Sequence, residues 1–123
     1  MLRLMSERNE ISVVSDQIGT PTYALDLART IITIIDAENW KPGIYHYSSL
    51  GKISWYDFAV AIAAISKSDC KVNAVTSDQF PTEASRPNYS LLDKTKITST
   101  FGIKVTEWED SLEECIKILN QKK

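Results

Sequence analysis

Few side chains in this sequence are equipped for chemistry, and they are scattered: one histidine, His46, two cysteines, Cys70 and Cys115, and Arg86, set in a polar stretch before Pro87. An imidazole titrates near neutrality and suits proton transfer, but no carboxylate or nucleophile stands at a telling spacing from His46, so it reads as structural. The cysteines form neither a Cys-x-x-Cys pair nor a Cys/His group with metal-ligand spacing, and reduced thiols are expected. No Ser/His/Asp set is visible. The glycines stand at 19, 43, 51 and 102, and no two are close enough to make the turn that cradles a dinucleotide pyrophosphate. What is left is binding chemistry. Arg86 offers a planar fork of donors that suits a phosphate, with Pro87 holding the backbone extended; the alternative is a surface arginine paired with Glu83.

The other candidate stretch is Asp16 to Ala28, which reads as a strand end, a tight loop and a helix start. Gly19 admits backbone angles closed to other residues, Pro21 sets its own φ and pushes Thr20 toward extended geometry, and Thr22 is expected to place an oxygen over the first helical turn. Such a loop is able to lie close against a ligand. It also fits an ordinary β-to-α connection.

The elements that must position these residues follow from the pattern. Leu2 to Arg8 reads as the last turns of an amphipathic helix stopped by Asn9, as if the chain began inside an element. Strands are expected at Ile11 to Ser15, Gly43 to Ser48 and Lys71 to Val75, with Ile44, His46 and Ser48 facing one way and Tyr45 and Tyr47 the other. From Tyr23 to Ala37 the pattern is helical, with an apolar stripe over more than half the circumference. Such a helix is expected to be covered on both sides, and if one cover is absent the chain should expose an apolar patch or dimerise. Ser54 and Asp57 read as a capping box for a helix to about Ser66, with Phe58, Ala61, Ile62 and Ile65 as core and Trp55 and Tyr56 either packing aromatics or the rim of a sugar or base site. Asp93 is expected to cap a short helix through Phe101, ended by Gly102 in a left-handed conformation. Thr106 and Glu109 suggest a second capping box before a terminal helix whose apolar face is Trp108, Leu112, Cys115, Ile116 and Leu119. Lys122 and Lys123 read as its solvated end.

Four ordered motifs together, Asp16-Gln-Ile-Gly-Thr-Pro-Thr-Tyr-Ala-Leu-Asp-Leu-Ala28, Gly43-Ile-Tyr-His-Tyr-Ser48, Ser54-Trp-Tyr-Asp-Phe-Ala59 and Arg86-Pro-Asn-Tyr-Ser-Leu-Leu-Asp93, resemble the C-terminal part of the dTDP-4-dehydrorhamnose reductases, which are extended short-chain dehydrogenase/reductases. The resemblance covers about Ile11 to Leu119. It implies a nucleotide-sugar-binding part of a reductase that uses NADPH to reduce the 4-keto group of dTDP-4-dehydrorhamnose to dTDP-L-rhamnose. Gln17, Gly19, Thr20, Pro21 and Thr22 would shape the substrate cleft and Arg86 would contact the diphosphate. The family's glycine-rich turn has no counterpart here. Its Tyr-x-x-x-Lys pair is absent too, because the fourth residue after Tyr23, Tyr45, Tyr47, Tyr56 and Tyr89 is never lysine. The chain alone is therefore expected to be inactive and to bind no cofactor, NADPH belonging to the missing N-terminal half of the parent. Some members bridge subunits with Mg²⁺, but Glu107, Glu109, Glu113 and Glu114 do not match those acids, so no metal is assigned. The alternative is a non-catalytic module, since the same family includes a regulatory subunit of methionine adenosyltransferase.

Composition bounds the rest. With 123 residues, 43% of them hydrophobic, the chain reads as one domain, residues 1–123, of α/β class with helices packed on a small mixed sheet of unreadable strand order. Fourteen basic and 16 acidic residues spread along it give a formal charge of −2, with no basic patch for nucleic acid and no positive face for a membrane. The opening residues are too short and charged for a signal peptide, and no apolar run approaches the roughly 18 residues of a membrane span, so a cytoplasmic protein is expected. A symmetric homodimer is a possible cover for the helix from Tyr23 to Ala37.

Overall fold

The computed structural model describes residues 1–121, so Lys122 and Lys123 lie outside the described residues. Helix α1 (Leu2–Glu7) leads through an extended Arg8 into strand β1 (Glu10–Val14). β1 pairs in parallel with β4 (Lys71–Val75), with Ile11 opposite Val72 and Val13 opposite Ala74. Parallel neighbours need a long crossover, and here the whole stretch between them supplies it. Within that stretch β2 (Ile18–Gly19) pairs antiparallel with β3 (Ile53–Ser54). The fold is of the expected α/β class. Its small mixed sheet is realised as two separate two-stranded pairs, one parallel and one antiparallel.

Helix α3 (Trp55–Ser66) starts where the Ser54-x-x-Asp57 pattern places it. The Asp57 N–H donates to Ser54 Oγ at 3.0 Å and the Ser54 N–H donates to Asp57 Oδ2 at 2.8 Å, so two otherwise unpaired donors are satisfied reciprocally. α3 turns Ala59, Ile62 and Ala63 onto Ile11 and Val13 of β1 and onto helix α5 (Trp108–Gln121), which contributes Trp108, Leu112 and Ile116. Met5 of α1 and Cys70 close this core. The small alanines let α3 approach closely, and Phe58, Ala61 and Ile65 pack around it half-buried. Both cysteines are free thiols. No helix among the described residues is long and apolar enough to cross a membrane.

Three expectations need correction. Gly43 to Ser48 forms no ladder, because no neighbouring strand pairs with it among the described residues. Neither half of a Thr106–Glu109 capping box occurs among the described hydrogen bonds. There the chain is held by backbone instead, Leu50 donating to the Thr106 carbonyl at 2.8 Å and accepting from the Trp108 N–H at 3.1 Å. And helix α2 (Ala24–Ile35) is capped at Tyr23 with no side-chain bond, Thr22 being exposed. Helix α4 (Thr95–Phe101) follows the pattern more closely. Asp93 accepts the Thr95 N–H at 2.8 Å from one position before the cap, and Gly102 ends the helix in the left-handed region at φ 66°.

α2 holds the largest departure from simple amphipathic reasoning. Its buried residues are Asp26 and Thr30, while Ile31, Ile32 and Ile35 face outward. Ser111 of α5 donates to Asp26 Oδ2 at 2.6 Å, and Arg29 donates both to Asp26 Oδ1 at 3.2 Å and, through two nitrogens at 3.0 and 3.2 Å, to the Glu114 carboxylate on α5. The Arg29 guanidinium holds Glu114 below its ordinary pKa, chiefly through these hydrogen bonds. A second carboxylate, Asp16, sits just past β1 and accepts the Ser77 N–H at 2.9 and 3.1 Å and the Ser77 hydroxyl at 2.8 Å, just past β4. The backbone donor first, then the hydroxyl, lowers its pKa.

Two outcomes are expected. Ser111→Ala leaves a buried carboxylate oxygen of Asp26 without its donor and should cost about 1–3 kcal/mol in urea unfolding, against ~0.5 kcal/mol or less for an ordinary surface change. Because Glu114 and Asp16 have folded pKa values below their ordinary 4.5 and 3.8, their stabilisation is complete above those values and is lost as pH falls through the lowered ones. Melting temperature should therefore drop as pH is lowered from about 5 to 2, and less steeply in Arg29→Gln, where the cause of the Glu114 shift is gone.

Candidate functional site

The turns after β1 and β4 lie side by side, and the site is built on them. The parallel ladder runs one step beyond its strands, Ser15 donating to the Val75 carbonyl at 2.9 Å. Asp16 then clamps Ser77, and Gln17 Nε2 donates to the Ser77 hydroxyl at 3.0 Å. Gln17 is buried and oriented by that bond, while its carboxamide oxygen has no partner among the described hydrogen bonds. Next, the Ile18 N–H donates to the Asn88 carbonyl at 2.8 Å and the Ile18 carbonyl accepts from the Ser90 N–H at 2.9 Å. This ties the chain just past Arg86-Pro87 beside the loop that carries Gln17, about seventy residues away in sequence.

Gln17 and Arg86 consequently line one cleft of about 370 Å³. Its wall is β1, including Ile11 and Val13; Trp55, at the first turn of α3, and Phe80, on the segment after β4, add aromatic surface. No hydrogen bond or ion pair engages the Arg86 guanidinium among the described residues, and Glu83 does not reach it. The cleft thus offers apolar walls, a half-exposed indole face, one carboxamide acceptor and one unengaged fork of cationic donors. Such a set can hold a flat or apolar body and orient an anion.

The remaining loop residues are placed differently. Gly19, Thr20 and Pro21 line a hollow of about 50 Å³ that shares Gln17 and Trp55 with the larger cleft. Gly19 is not in the left-handed region as expected; it is small because the Ser90 hydroxyl lies 2.9 Å from where a Cβ would stand. The Thr20 hydroxyl is spent on the Gly51 carbonyl at 2.6 Å, which anchors the loop before β3. Gly51 itself has φ 109°, and a Cβ there would fall on the Trp108 ring. Thr22 opens away from the cleft into a hollow of about 130 Å³ against α5, with Ser49, Trp108 and Cys115.

Sequence reasoning underrated Trp55 and passed over Phe80, Ser77 and Ser90. Only Trp55, an aromatic residue at a helix start, carried a signal. His46 is exposed and makes no hydrogen bond among those described. Among the described residues no group of three or more His, Cys, Asp or Glu side chains is placed to hold a metal ion. On α5, Glu114 is engaged by Arg29.

Comparisons with known proteins place the chain in a family. Residues 1–121 match the family described as the RmlD substrate binding domain. A dTDP-4-dehydrorhamnose reductase of Aggregatibacter actinomycetemcomitans is 43% identical over 122 residues, covering 91% of this chain and 42% of the relative. Among solved structures, a dTDP-4-dehydrorhamnose reductase from Clostridium acetobutylicum superposes with a TM-score of 0.90 at 41% identity, over 97% of this chain and 42% of that one. The reductase from Bacillus anthracis, solved in complex with NADP, gives 0.89 at 36% identity over 95% and 41% of the two chains. The chain spans about two-fifths of the length of these relatives. With the match running through the whole described region, the chain belongs to the RmlD substrate binding domain family, and corresponds to the C-terminal, substrate-binding part of the dTDP-4-dehydrorhamnose reductases.

Proposed function

We propose that the cleft between β1, the start of α3 and the Phe80–Arg86 segment binds the dTDP-sugar substrate of an NADPH-dependent reductase, one that reduces the 4-keto group of dTDP-4-dehydrorhamnose to give dTDP-L-rhamnose. The observation that carries this reading is the convergence of Gln17, Trp55 and Arg86, from three separate parts of the chain, on one apolar cleft of about 370 Å³. That volume falls in the range of small-molecule sites, roughly 300–1,000 Å³. In this reading the Arg86 guanidinium neutralises the diphosphate, the Trp55 ring packs on a flat face of base or sugar, and the Gln17 oxygen accepts from a ligand hydroxyl or imide N–H.

NADPH, when bound to the whole reductase, supplies the hydride. The residues of this chain do not fit that cofactor, since its four glycines serve separate local purposes and none opens a helix as a pyrophosphate turn does. Its contribution is to bind and orient the sugar and to exclude water from one side of it. The chain alone is accordingly inactive in turnover, and its place of work is the cytoplasm, where NADPH is available. Mg²⁺ has no role assigned to these residues.

Titration calorimetry with dTDP or dTDP-rhamnose checks the reading. Saturable binding is expected, weakened roughly tenfold to a hundredfold in Arg86→Ala, the scale of one charge-assisted contact. Affinity unchanged in the variant would move the diphosphate off Arg86. A chain that captures a protein partner and binds no nucleotide sugar would favour the regulatory-module alternative.

A further inference from the structure

The hollow of about 130 Å³ between the Pro21–Tyr23 turn and α5 plays no part in the Gln17–Arg86 cleft. Its walls are largely ring and aliphatic surface, from Tyr23, Phe58, Trp108 and Leu112, and no Asp, Glu, Lys or Arg lines it. The Phe58 and Trp108 rings meet edge to face, 6.0 Å between centroids at 68°, which makes a corner of the kind a further ring packs into. The surroundings disfavour charge. Tyr23 keeps its proton to higher pH than an ordinary phenol, through burial first and then through the nearby Cys115 and Glu114.

One polar group in this wall is unspent. Ser49 is 1% exposed, and its hydroxyl has no hydrogen-bond partner among the described residues. The backbone that carries it is held from both sides. The Ser48 hydroxyl donates to the Ser49 carbonyl at 3.3 Å, Leu50 is bridged to Thr106 and Trp108, and Thr20 donates to the Gly51 carbonyl at 2.6 Å. A hydroxyl buried without a partner costs stability, and such groups are rare enough in folded proteins to ask for a cause. The other buried hydroxyl of the wall, Ser111, is satisfied by Asp26, so the unmet bond belongs to Ser49 alone.

Size and chemistry together name the ligand class. A wholly apolar cavity of roughly 150 Å³ takes one benzene ring, and here a space of similar size carries a single hydroxyl in addition. We propose that the hollow lined by Ser49 and Cys115 is a second small-molecule site, for a neutral ligand of one aromatic ring bearing one hydroxyl, a phenol in chemical class. The ring packs in the corner of Phe58 and Trp108, and the ligand hydroxyl pairs with that of Ser49. Phosphates and carboxylates are poor ligands for it, because the wall offers no cation. The site has no lining residue in common with the Gln17–Arg86 cleft and holds whether or not that cleft takes a nucleotide sugar.

Phenol itself is the probe, and the half-buried Cys115 thiol in the wall is the reporter, with the buried Cys70 as internal reference. Phenol should slow alkylation of Cys115 by N-ethylmaleimide in a saturable way, read by peptide mass spectrometry, and leave the rate at Cys70 unchanged. Ser49→Ala should raise the melting temperature of the protein without phenol, since it removes an unpaired hydroxyl, and should weaken protection by phenol roughly fivefold to tenfold, the scale of one hydrogen bond. Toluene, the ring without the hydroxyl, should protect both proteins equally. Absence of protection at saturating phenol, or equal protection of the two proteins by phenol, would overturn the proposal. So would a lower melting temperature in Ser49→Ala, because the hydroxyl would then be satisfied by a buried water and the hollow would need no ligand.

Discussion

A carboxylate withdrawn from water constrains the layout of this molecule. Asp26 is 6% exposed, and a buried charge without partners costs several kcal/mol, so it is tolerable only where hydroxyl and guanidinium donors meet it. Those donors are Ser111 on α5 and Arg29 one turn further along α2, the latter also gripping Glu114. The rotation of α2 about its own axis follows. At about 100° per residue, a helix that points Asp26 and Thr30 inward must point Ile31 and Ile35 out. Turning the isoleucines inward would gain about 25 cal/mol for each Å² of apolar surface buried, yet it would expel the carboxylate from its donors and leave Ser111 unpaired.

The same preference for satisfied polar groups assembles the cleft. Asp16 accepts from the Ser77 donors, Gln17 donates to the Ser77 hydroxyl, and the Ile18 backbone is shared between Asn88 and Ser90. Each bond is worth little net, about 1 kcal/mol, but together they set two distant loops in register. Gly19 permits the approach because any Cβ there would meet Ser90. Within the cleft the two polar ends are held unequally. Gln17 is buried and oriented before a ligand arrives, whereas Arg86 stands on a polar segment whose described internal tie is the Thr82 hydroxyl on the Ala84 carbonyl at 2.7 Å. On the proposed reading, a ligand would have to order the arginine as it formed the contact, whereas Gln17 is already held.

Local pattern made the helices and their ends legible. The Ser54-x-x-Asp57 box, the left-handed Gly102, the β1 and β4 segments and the Trp108, Leu112, Ile116 face all appear where spacing places them, because caps and amphipathic faces are decided by residues three or four apart. Gly43 to Ser48 shows the limit of that reasoning. Its alternation is present in the burial of Tyr45 and Tyr47, but a strand is defined by its neighbour, and alternation in one segment says nothing of what lies beside it. Thr106 and Glu109 had the composition of a capping box and lost to a backbone bridge from Leu50, fifty-odd residues earlier.

For the site, residue type singled out Arg86, a guanidinium beside proline, while Gln17 entered only through the ordered motifs across the chain, which pointed to the family. Which of the loop residues face the same cleft was decided only by the tertiary structure. Thr20 is consumed by Gly51, Thr22 opens toward α5, and Trp55 joins Gln17 although 38 positions separate them. The direction in which α2 faces was likewise invisible, since an apolar stripe announces that a helix will be covered but not by what. The physical reason is common to both: capping and periodicity are short-range and written in neighbouring residues, whereas the pairing of a buried charge, a sheet edge or a cleft wall depends on groups that only the folded chain brings together.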